Sequence, residues 1–520
     1  MPEYLAPGVY IEEIERGPRP IEGVPTSTAA FIGETERGPI KPRLVTSYIE
    51  YKRWFGDVFG SREKYMPYAA NGFFENGGRR LFISRIVSND ATTAEAEIGN
   101  FVVRAAGAGS FGNRIFVKLG KSSTETKLPG AAASTPIGFR LQVAYWSVEP
   151  EGGLFDPFDP ANRDMRPRPT LTEDFDDLVL AQNSSDYFEK RLTGNSSLIE
   201  LTQTDPASTE LPPETTATLE GGADGSEVGS DDFTGLPADE RTEAQGLTAL
   251  ELDPYREVAL VYAPFPSTAR ETIHLAVITH CENMRFRFAV IDSEREESNI
   301  ANLDPRTTIQ DTQYAAFYYP WIQVADPQSG ALKYVPPGGY ALGIYARTDV
   351  ERGVFKAPAN ETVRGAVELR YDINDRAQET LNPRGVNAIR SFPGRGIRVW
   401  GARTLSSNGL WKYVSVRRLF IFLERSIYEG TQWVVFEPND DRLWARVTDT
   451  IRLFLRTQWR NGALFGRTEK EAFFITCDRT TMTQDDILNG RLICQIGIAP
   501  VRPAEFVVFR IFQHTAEAQR

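Results

Sequence analysis

One stretch of the sequence, residues 258–292, most restricts what this chain can fold into. Apolar residues 258–262 and 286–292 predict two buried strands, and the periodic segment 271–284 between them predicts a helix. A strand, a helix and a strand in this order form a right-handed crossover between parallel neighbours. The stretch therefore predicts an α/β fold built on a parallel sheet.

The rest of the chain divides by composition and by the order of predicted elements. Residues 26–104 are predicted to share one discontinuous α/β domain with residues 251–380, in which a small-residue helix at 338–346 packs closely on a sheet. Residues 105–250 are rich in Gly, Ser, Thr, Pro and Asp, which indicates a β-rich insertion with long loops. Residues 381–500 predict a further unit of the α+β type.

Two terminal segments, residues 1–25 and 501–520, are predicted to be arms. Each contains an apolar, strand-like run, and an isolated strand cannot satisfy its own backbone hydrogen-bonding groups. Each run must therefore join a sheet, either in its own domain or in another subunit. The second run is apolar on both faces, so we expect both faces to be buried. The residues are Val9, Tyr10, Ile11 and Ile14 in the first run, and Phe506, Val507, Val508, Phe509, Ile511 and Phe512 in the second.

A predicted helix at residues 440–461 has two contrasting faces, and a predicted strand at 432–437 precedes it. One arc is mostly apolar and contains Leu443, Trp444, Val447, Ile451, Phe454, Leu455 and Gln458. The opposite arc carries Arg442, Arg446, Arg452, Arg456 and Arg460, with Asp449 as the only acid among them. The formal net charge of the chain is −12, so this basic face is a local feature. It is either a solvated face or a binding surface.

Composition limits the classes of function that remain. Hydrophobic residues make up 41% and charged residues 25%, the balance of a folded globular protein. The acidic net charge argues against a general nucleic-acid binder. No apolar run approaches the roughly 20 residues that a membrane span needs, and no secretory signal opens the sequence. We therefore expect the protein to be made and folded in a cytoplasm.

No motif in the sequence predicts catalysis or a cofactor. Residues 107–112 match the GxGxxG pattern, but a predicted strand follows where a dinucleotide site requires a helix, which favours a glycine-rich turn. The chain has three histidines, His274, His280 and His514, and their spacing fits no usual zinc site. No nucleophile is found for which one of them could act as a general base. We therefore expect no enzyme activity, no cofactor and no metal.

Two further groups of residues have ordinary structural explanations. Cys477 and Cys494 could pair across neighbouring strands, but buried free thiols are the expected state in a cytoplasm. The glycine-rich acidic stretch at 221–225 lacks the ligand spacing of an EF-hand, so a cluster of turns is expected there.

The sequence resembles the contractile tail sheath family of myophages and related contractile injection systems along nearly its whole length. The insertion at 120–250 matches least well. The segments that carry the resemblance are residues 4–13 (YLAPGVYIEE), 28–33 (TAAFIG), 73–78 (FFENGG), 221–225 (GGADG), 318–322 (YYPWI), 335–341 (VPPGGYA), 345–354 (YARTDVERGV), 356–360 (KAPAN), 382–387 (NPRGVN) and 399–404 (VWGART).

The resemblance implies a fold and a function. The fold would be a subtilisin-like α/β sheath domain with the β-rich insertion, and a C-terminal α+β assembly domain bearing N- and C-terminal strand arms. The chain would polymerise as stacked hexameric discs around an inner tube and contract to drive that tube through a target envelope. Both arms would add strands to neighbouring subunits, and the five-arginine face would contact the tube.

The partners implied by the resemblance are the chain itself, an inner tube protein, and baseplate and terminator proteins at the ends. No nucleic acid and no direct membrane insertion are implied. The assembled sheath would be part of a phage tail, or of a released or membrane-attached injection particle, built in a bacterial cytoplasm. Two alternatives stay open: a non-contracting baseplate or terminator component, and a degenerate subtilase-like hydrolase, for which no nucleophile–base pair is found.

Overall fold

The computed structural model describes residues 20–60, 64–126, 135–235, 244–265 and 270–510. These residues form two compact units, one from residues 25–417 and one from residues 20–24 together with 418–510. The predicted strand of the N-terminal arm, and Ile511 and Phe512 of the C-terminal arm, lie outside the described residues.

The described α-helices are numbered in chain order. They are α1 (Tyr48–Phe55), α2 (Met66–Glu75), α3 (Phe188–Leu192), α4 (Ser230–Thr234), α5 (Gly246–Leu250), α6 (Arg270–Met284), α7 (Pro305–Thr308), α8 (Gly338–Arg352), α9 (Asp375–Leu381), α10 (Val414–Gly430), α11 (Asp441–Arg460), α12 (Glu469–Ala472) and α13 (Gln484–Leu488).

The described strands are numbered in the same way. They are β1 (Ala29–Gly33), β2 (Arg43–Val45), β3 (Leu81–Arg85), β4 (Glu95–Ile98), β5 (Phe101–Ala105), β6 (Ile115–Lys121), β7 (Glu125–Thr126), β8 (Thr135–Pro136), β9 (Phe139–Tyr145), β10 (Leu171–Leu178), β11 (Ile199–Gln203), β12 (Thr215–Thr218), β13 (Leu260–Tyr262), β14 (Phe288–Asp292), β15 (Ala315–Tyr319), β16 (Ile322–Ala325), β17 (Leu332–Val335), β18 (Glu361–Thr362), β19 (Ala366–Leu369), β20 (Val386–Phe392), β21 (Gly396–Val399), β22 (Phe473–Thr476) and β23 (Gln495–Ile498).

A nine-stranded sheet with the order β18-β21-β20-β15-β14-β13-β1-β3-β2 organises the larger unit. Its six central strands, from β20 to β3, are parallel, and antiparallel strands close both edges. The predicted crossover is confirmed, because α6 connects β13 to its parallel neighbour β14, with Leu260 opposite Phe288. The sheet also continues past residue 381, the predicted start of the C-terminal unit, because β20 pairs in parallel with β15.

Apolar residues cover both faces of the parallel strands, as a doubly covered sheet requires. On one face, Ala30 and Ile32 of β1 join a core that includes Leu247 of α5 and Val277 of α6. On the other face, the ring of Phe31 meets Phe73 of α2 at 5.5 Å, edge to face. Alternate residues of a strand therefore serve two separate layers of helices.

Helix α8 packs closely on the nine-stranded sheet, as predicted, because a methyl group added to Gly338 would lie 2.3 Å from the ring of Tyr262 in β13, and it also approaches α2 closely. A methyl group added to Gly339 would lie 2.6 Å from the backbone oxygen of Ala69, and one added to Gly343 would lie 2.5 Å from that of Phe73. Only residues without a side chain fit these two positions. The small residues of α8 therefore explain a helix–helix contact that the sequence alone did not specify.

The β-rich region between α2 and α4 has two antiparallel sheets around one core. Their strand orders are β10-β9-β6-β12 and β11-β5-β4. Phe101 and Val103 of β5 pack with Val117 of β6 and Leu141 of β9 in that core. The first of these strands, β4, begins ten residues before the predicted start of the insertion at 105.

The smaller unit combines α10 to α13 with the two-stranded sheet β22-β23. Residues 20–24 pack against α10 in this unit: Ile21 is buried and contacts Gly430, and the Val24 amide donates to Ser426 Oγ at 3.1 Å. The predicted strand at 432–437 is wrong. Those residues form a 3-10 turn over Gln432–Val434 followed by irregular backbone, because a short apolar run does not distinguish a strand from a turn.

Candidate assembly surfaces

Helix α11 has the boundaries and end residues that the sequence predicts. Asp440 caps its first turn, since the carboxylate accepts hydrogen bonds from the backbone amides of Arg442 (3.1 Å) and Leu443 (2.9 Å). Asn461 closes the last turn, and Gly462 follows with a left-handed φ of 87° that favours glycine. The helix therefore holds its two faces in fixed orientation over 20 residues.

The apolar face of α11 is buried, largely as predicted. Its buried residues are Leu443, Trp444, Val447, Thr450, Ile451, Phe454 and Leu455. Gln458, which was predicted on this arc, is only half-buried. Thr450 joins the buried face because its hydroxyl donates to the backbone oxygen of Arg446 at 2.8 Å.

Three of the five predicted arginines have acidic partners within the chain. Arg456 lies 2.7 Å from Glu469 and Arg452 lies 2.9 Å from Asp449, while Arg446 lies 3.6 Å from Glu437. Glu437 precedes the helix and Glu469 belongs to α12, so neither was visible from the helical pattern. The basic face is therefore partly neutralised by segments on either side of it.

The Arg456–Glu469 pair sets the electrostatics of that end of the helix. The hydrogen bond from Arg456, and then its charge, hold the pKa of the Glu469 carboxyl below its usual value. The same hydrogen bond raises the pKa of Arg456. Both groups thus stay charged at neutral pH.

Arg442 and Arg460 are exposed and form no ion pair with any described residue. They lie at opposite ends of the basic face of α11, which we call its outer face. Leu453, about midway between them, is 51% exposed although it is apolar. The outer face therefore presents unpaired positive charge at its ends and an apolar side chain at its centre.

Phe436 extends this surface beyond the N-terminal end of α11, and no sequence pattern indicated its role. Its φ is 69°, a conformation that residues with large side chains rarely adopt, and its ring is fully exposed. It adjoins Glu437, the partner of Arg446, whose guanidinium also lies 4.6 Å from the ring centre of Trp433. Left-handed backbone is normally signalled by Gly or Asn, so a Phe there could not be anticipated.

The C-terminal segment presents a second surface. Phe506, Val507, Val508 and Phe509 are all more than 65% exposed and belong to no strand within the described chain. Both faces of the run were expected to be buried, and in the part of it that the structure describes neither is. Four consecutive exposed apolar residues are unusual for a protein that remains a monomer.

The sheet β22-β23 presents open strand edges close to that segment in sequence. Phe473 pairs with Ile498 and Thr476 pairs with Gln495 in antiparallel register. In the described part of the chain, no third strand bonds to either outer edge. An unpaired edge has a row of free backbone donors and acceptors, to which another strand can bind.

The motifs considered for catalysis have structural roles. The second half of the glycine-rich hexapeptide forms a 3-10 turn (Ser110–Arg114), and the strand β6 follows it, as predicted. His280 is buried and its Nε2 lies 2.6 Å from Arg287 of the same unit. Within the described ranges, no cluster of three or more metal-ligating side chains occurs, and no helix is both long and apolar enough for a membrane span.

Two family models match contiguous parts of the chain. Residues 239–405 match the phage tail sheath protein central domain, and residues 406–514 match the phage tail sheath C-terminal domain. Together they cover more than half of the 520 residues.

Similar sequences include two tail sheath proteins. A prophage major tail sheath protein of Pseudomonas aeruginosa (strain UCBPP-PA14) is 30% identical over 199 residues, which are 37% of this chain and 49% of that protein. The tail sheath protein of Vibrio phage KVP40 is 23% identical over 234 residues, 44% of this chain and 33% of that protein. The chain thus spans half the length of these relatives or less.

Similar solved structures cover nearly the whole chain. The sheath complex of the extracellular contractile injection system PVC, in its contracted state, aligns with a TM-score of 0.58 at 22% identity and covers 100% of both chains. The contracted helical sheath of the anti-feeding prophage aligns with a TM-score of 0.57 at 24% identity and covers 98% of this chain and 99% of that one. At such identities the likeness establishes a shared mixed α/β fold with several sheets. With the matched domain models, it shows that the chain belongs to the phage tail sheath protein family.

Proposed function

We propose that this chain is the repeating subunit of a contractile sheath. It would polymerise as stacked hexameric discs around an inner tube and shorten to drive that tube through a target envelope. The observation that carries the proposal is the match of residues 239–514 to both sheath domains. The parallel sheet of the larger unit supports the finer inference of a subtilisin-like domain used as a scaffold rather than as an enzyme.

Strand exchange would link the subunits. The exposed run at residues 506–509 supplies a strand without a sheet, and β22-β23 supplies a sheet with open edges. Adding an extended segment to such an edge forms main-chain hydrogen bonds whatever its sequence. The N-terminal arm, with Val9, Tyr10, Ile11 and Ile14, would act in the same way. We assign residues 506–512 the role of a donor strand.

The outer face of α11 would contact the inner tube. The exposed guanidinium groups of Arg442 and Arg460 would favour an acidic tube surface. Arg446, Arg452 and Arg456 would contribute less, because each already has an acidic partner in the chain.

The two kinds of contact differ in strength in the way contraction requires. A backbone hydrogen bond contributes about 1 kcal/mol net, so an arm of several bonds holds firmly. An exposed ion pair contributes about 0.2–1 kcal/mol and is screened by salt. Tube contacts could thus be released one subunit at a time while the arms keep the polymer linked. Contraction would be a change between two packings of the same units.

A baseplate role is the second candidate, because the anti-feeding prophage baseplate structure also contains a chain of this fold (TM-score 0.58, 24% identity). Tube and terminator proteins are further proposed partners, and a bacterial cytoplasm is the proposed place of assembly. Electron microscopy of the purified chain separates the two roles. We expect long hollow tubes of the contracted type from a sheath subunit, and closed rings that do not stack from a baseplate component.

A further inference from the structure

Two of the three cysteines meet at the end of the sheet β22-β23. The last pair in this sheet is Thr476 opposite Gln495, so the next position along the ladder places Cys477 opposite Cys494. The two thiols are close enough to influence each other's pKa. Both are free thiols, and Cys281 is buried in the core of the larger unit.

The hydrogen-bond pattern fixes what kind of pair the two cysteines form. The Ala499 amide donates to the backbone oxygen of Ala472 at 2.9 Å, which makes 472 and 499 a hydrogen-bonded pair. Such pairs alternate with non-hydrogen-bonded pairs along an antiparallel ladder. Counting five positions along the ladder makes Cys477 and Cys494 a non-hydrogen-bonded pair.

Non-hydrogen-bonded pairs bring the backbones closest. Their Cα atoms lie about 4.5 Å apart and their side chains are closer than those of neighbouring pairs. A disulfide needs Cα atoms about 4.4–6.8 Å apart. A bond between the two sulfurs therefore requires no slip of the strands.

The surroundings keep these thiols unreactive in a reducing compartment. Cys477 shares the face of β22 that bears the buried Phe473, and Cys494 is half-buried. Burial raises the pKa of Cys477 and raises the pKa of Cys494 to about 12, so little thiolate exists at neutral pH. Exchange with a disulfide reagent should accordingly be slow and should begin at the more accessible Cys494.

We propose that Cys477 and Cys494 form a redox-responsive modification site, which a low-molecular-weight disulfide converts into a cross-strand disulfide. The Cys494 thiolate attacks one sulfur of oxidised glutathione, forming a mixed disulfide and releasing one glutathione thiolate. The Cys477 thiolate then attacks the Cys494 sulfur and releases the second glutathione. The two protons lost by the cysteines are taken up by the two glutathiones, so one protein disulfide and two reduced glutathiones result.

The consequence of the bond for assembly rests on the proposed function. The sheet β22-β23 is the proposed acceptor of a neighbour's strand, and a slip of one residue would turn every side chain of a strand to the opposite face. A covalent bond between positions 477 and 494 prevents that slip. A particle that leaves a reducing cytoplasm for an oxidising medium would thereby acquire a fixed acceptor sheet.

The experiment uses the full chain as an unassembled protein. It is incubated with oxidised glutathione at a pH of about 8.5, where a larger fraction of each thiol is ionised than at neutral pH. Its free thiols are then counted in denaturant. We expect the count to fall from three to one, peptide mapping to join Cys477 to Cys494, and amide exchange at 473–476 to slow at least severalfold. In the matched control Cys281→Ser the count should fall to zero, and in Cys477→Ser the glutathione should remain on Cys494.

Other outcomes overturn the proposal. They are persistence of all three thiols, a stable glutathione adduct on Cys494 in the unaltered chain, a disulfide between chains, or unchanged amide exchange after the bond forms. Every measurement is made on unassembled protein. Failure of the chain to build tubes would therefore count against the sheath function without contradicting the proposed disulfide.

Discussion

Phe436 holds a backbone conformation that its own side chain disfavours. Its ring is fully exposed, so no packing inside the chain compensates for the left-handed φ of 69°. Strain of this kind persists where the surrounding structure imposes it, and it concentrates at functional surfaces. Its position beside Glu437 and Arg446 places it at the edge of the proposed tube-binding face.

Replacing Phe436 by Gly should relieve this strain without loss of packing. We expect the free energy of unfolding of the smaller unit to rise by up to about 1 kcal/mol, since relief of strain outweighs the added freedom of the unfolded glycine. Phe436→Ala, which keeps the disfavoured φ, should stay within about 0.5 kcal/mol of the unaltered chain. Urea titration measures both. An equal loss of stability in the two variants would mean that the ring packs on the protein.

The ion pair of Glu469 predicts a pH dependence. A carboxyl whose pKa is lowered on folding contributes stability above its unfolded pKa, and this contribution disappears as pH falls through the folded pKa. Glu469→Gln should therefore lower stability by about 0.5 kcal/mol at pH 7 and by progressively less in acid. Urea titrations between pH 7 and pH 3 check this. A difference that persists unchanged in acid would exclude the ion pair as its source.

At the scale of elements, helix α11 shows what the sequence could specify. Its cap, its closing Asn461-Gly462 and its buried arc all follow from local chemistry, and the structure confirms them. The acids that neutralise part of its basic face come from other segments, so no helical pattern contains them. The membership of β20 in the large sheet was missed for the same reason, since its partners in β15 lie 69 residues earlier in the chain (Phe317 is opposite Val386).

These pairings change which arginines best test the tube contact. Arg442→Glu with Arg460→Glu should change stability little, because neither side chain forms an ion pair within the described chain and Arg460 acts on Glu469 only at longer range. Co-sedimentation with isolated inner tubes should fall at least tenfold, and the remaining binding should depend less on salt.

A matched control replaces Arg452 and Arg456 by Gln. This pair should lower the free energy of unfolding only slightly, because the ion pairs it removes are exposed, and it should have a smaller effect on tube binding. If the Arg442 and Arg460 variant binds tubes as well as the unaltered chain does, the outer face of α11 has another role.

At the scale of the whole molecule, the sequence predicted the parallel core, the β-rich region and the family, because buried strands, turns and short motifs are local features. It could not show that the run 506–509 has no cover among the described residues of its own chain, since burial depends on every other element. That exposure supports the proposed strand exchange, because among the described residues the run 506–509 has no sheet to join and the sheet β22-β23 has no third strand.

Sedimentation velocity of the chain lacking residues 504–520, compared with the full chain, tests strand exchange most directly. Removing these residues leaves the described core intact, because residues 506–509 are exposed. We predict that the full chain assembles into large particles as concentration rises, while the shortened chain stays a folded monomer with an unchanged circular dichroism spectrum. Assembly of the shortened chain at the same concentrations as the full chain would contradict the account.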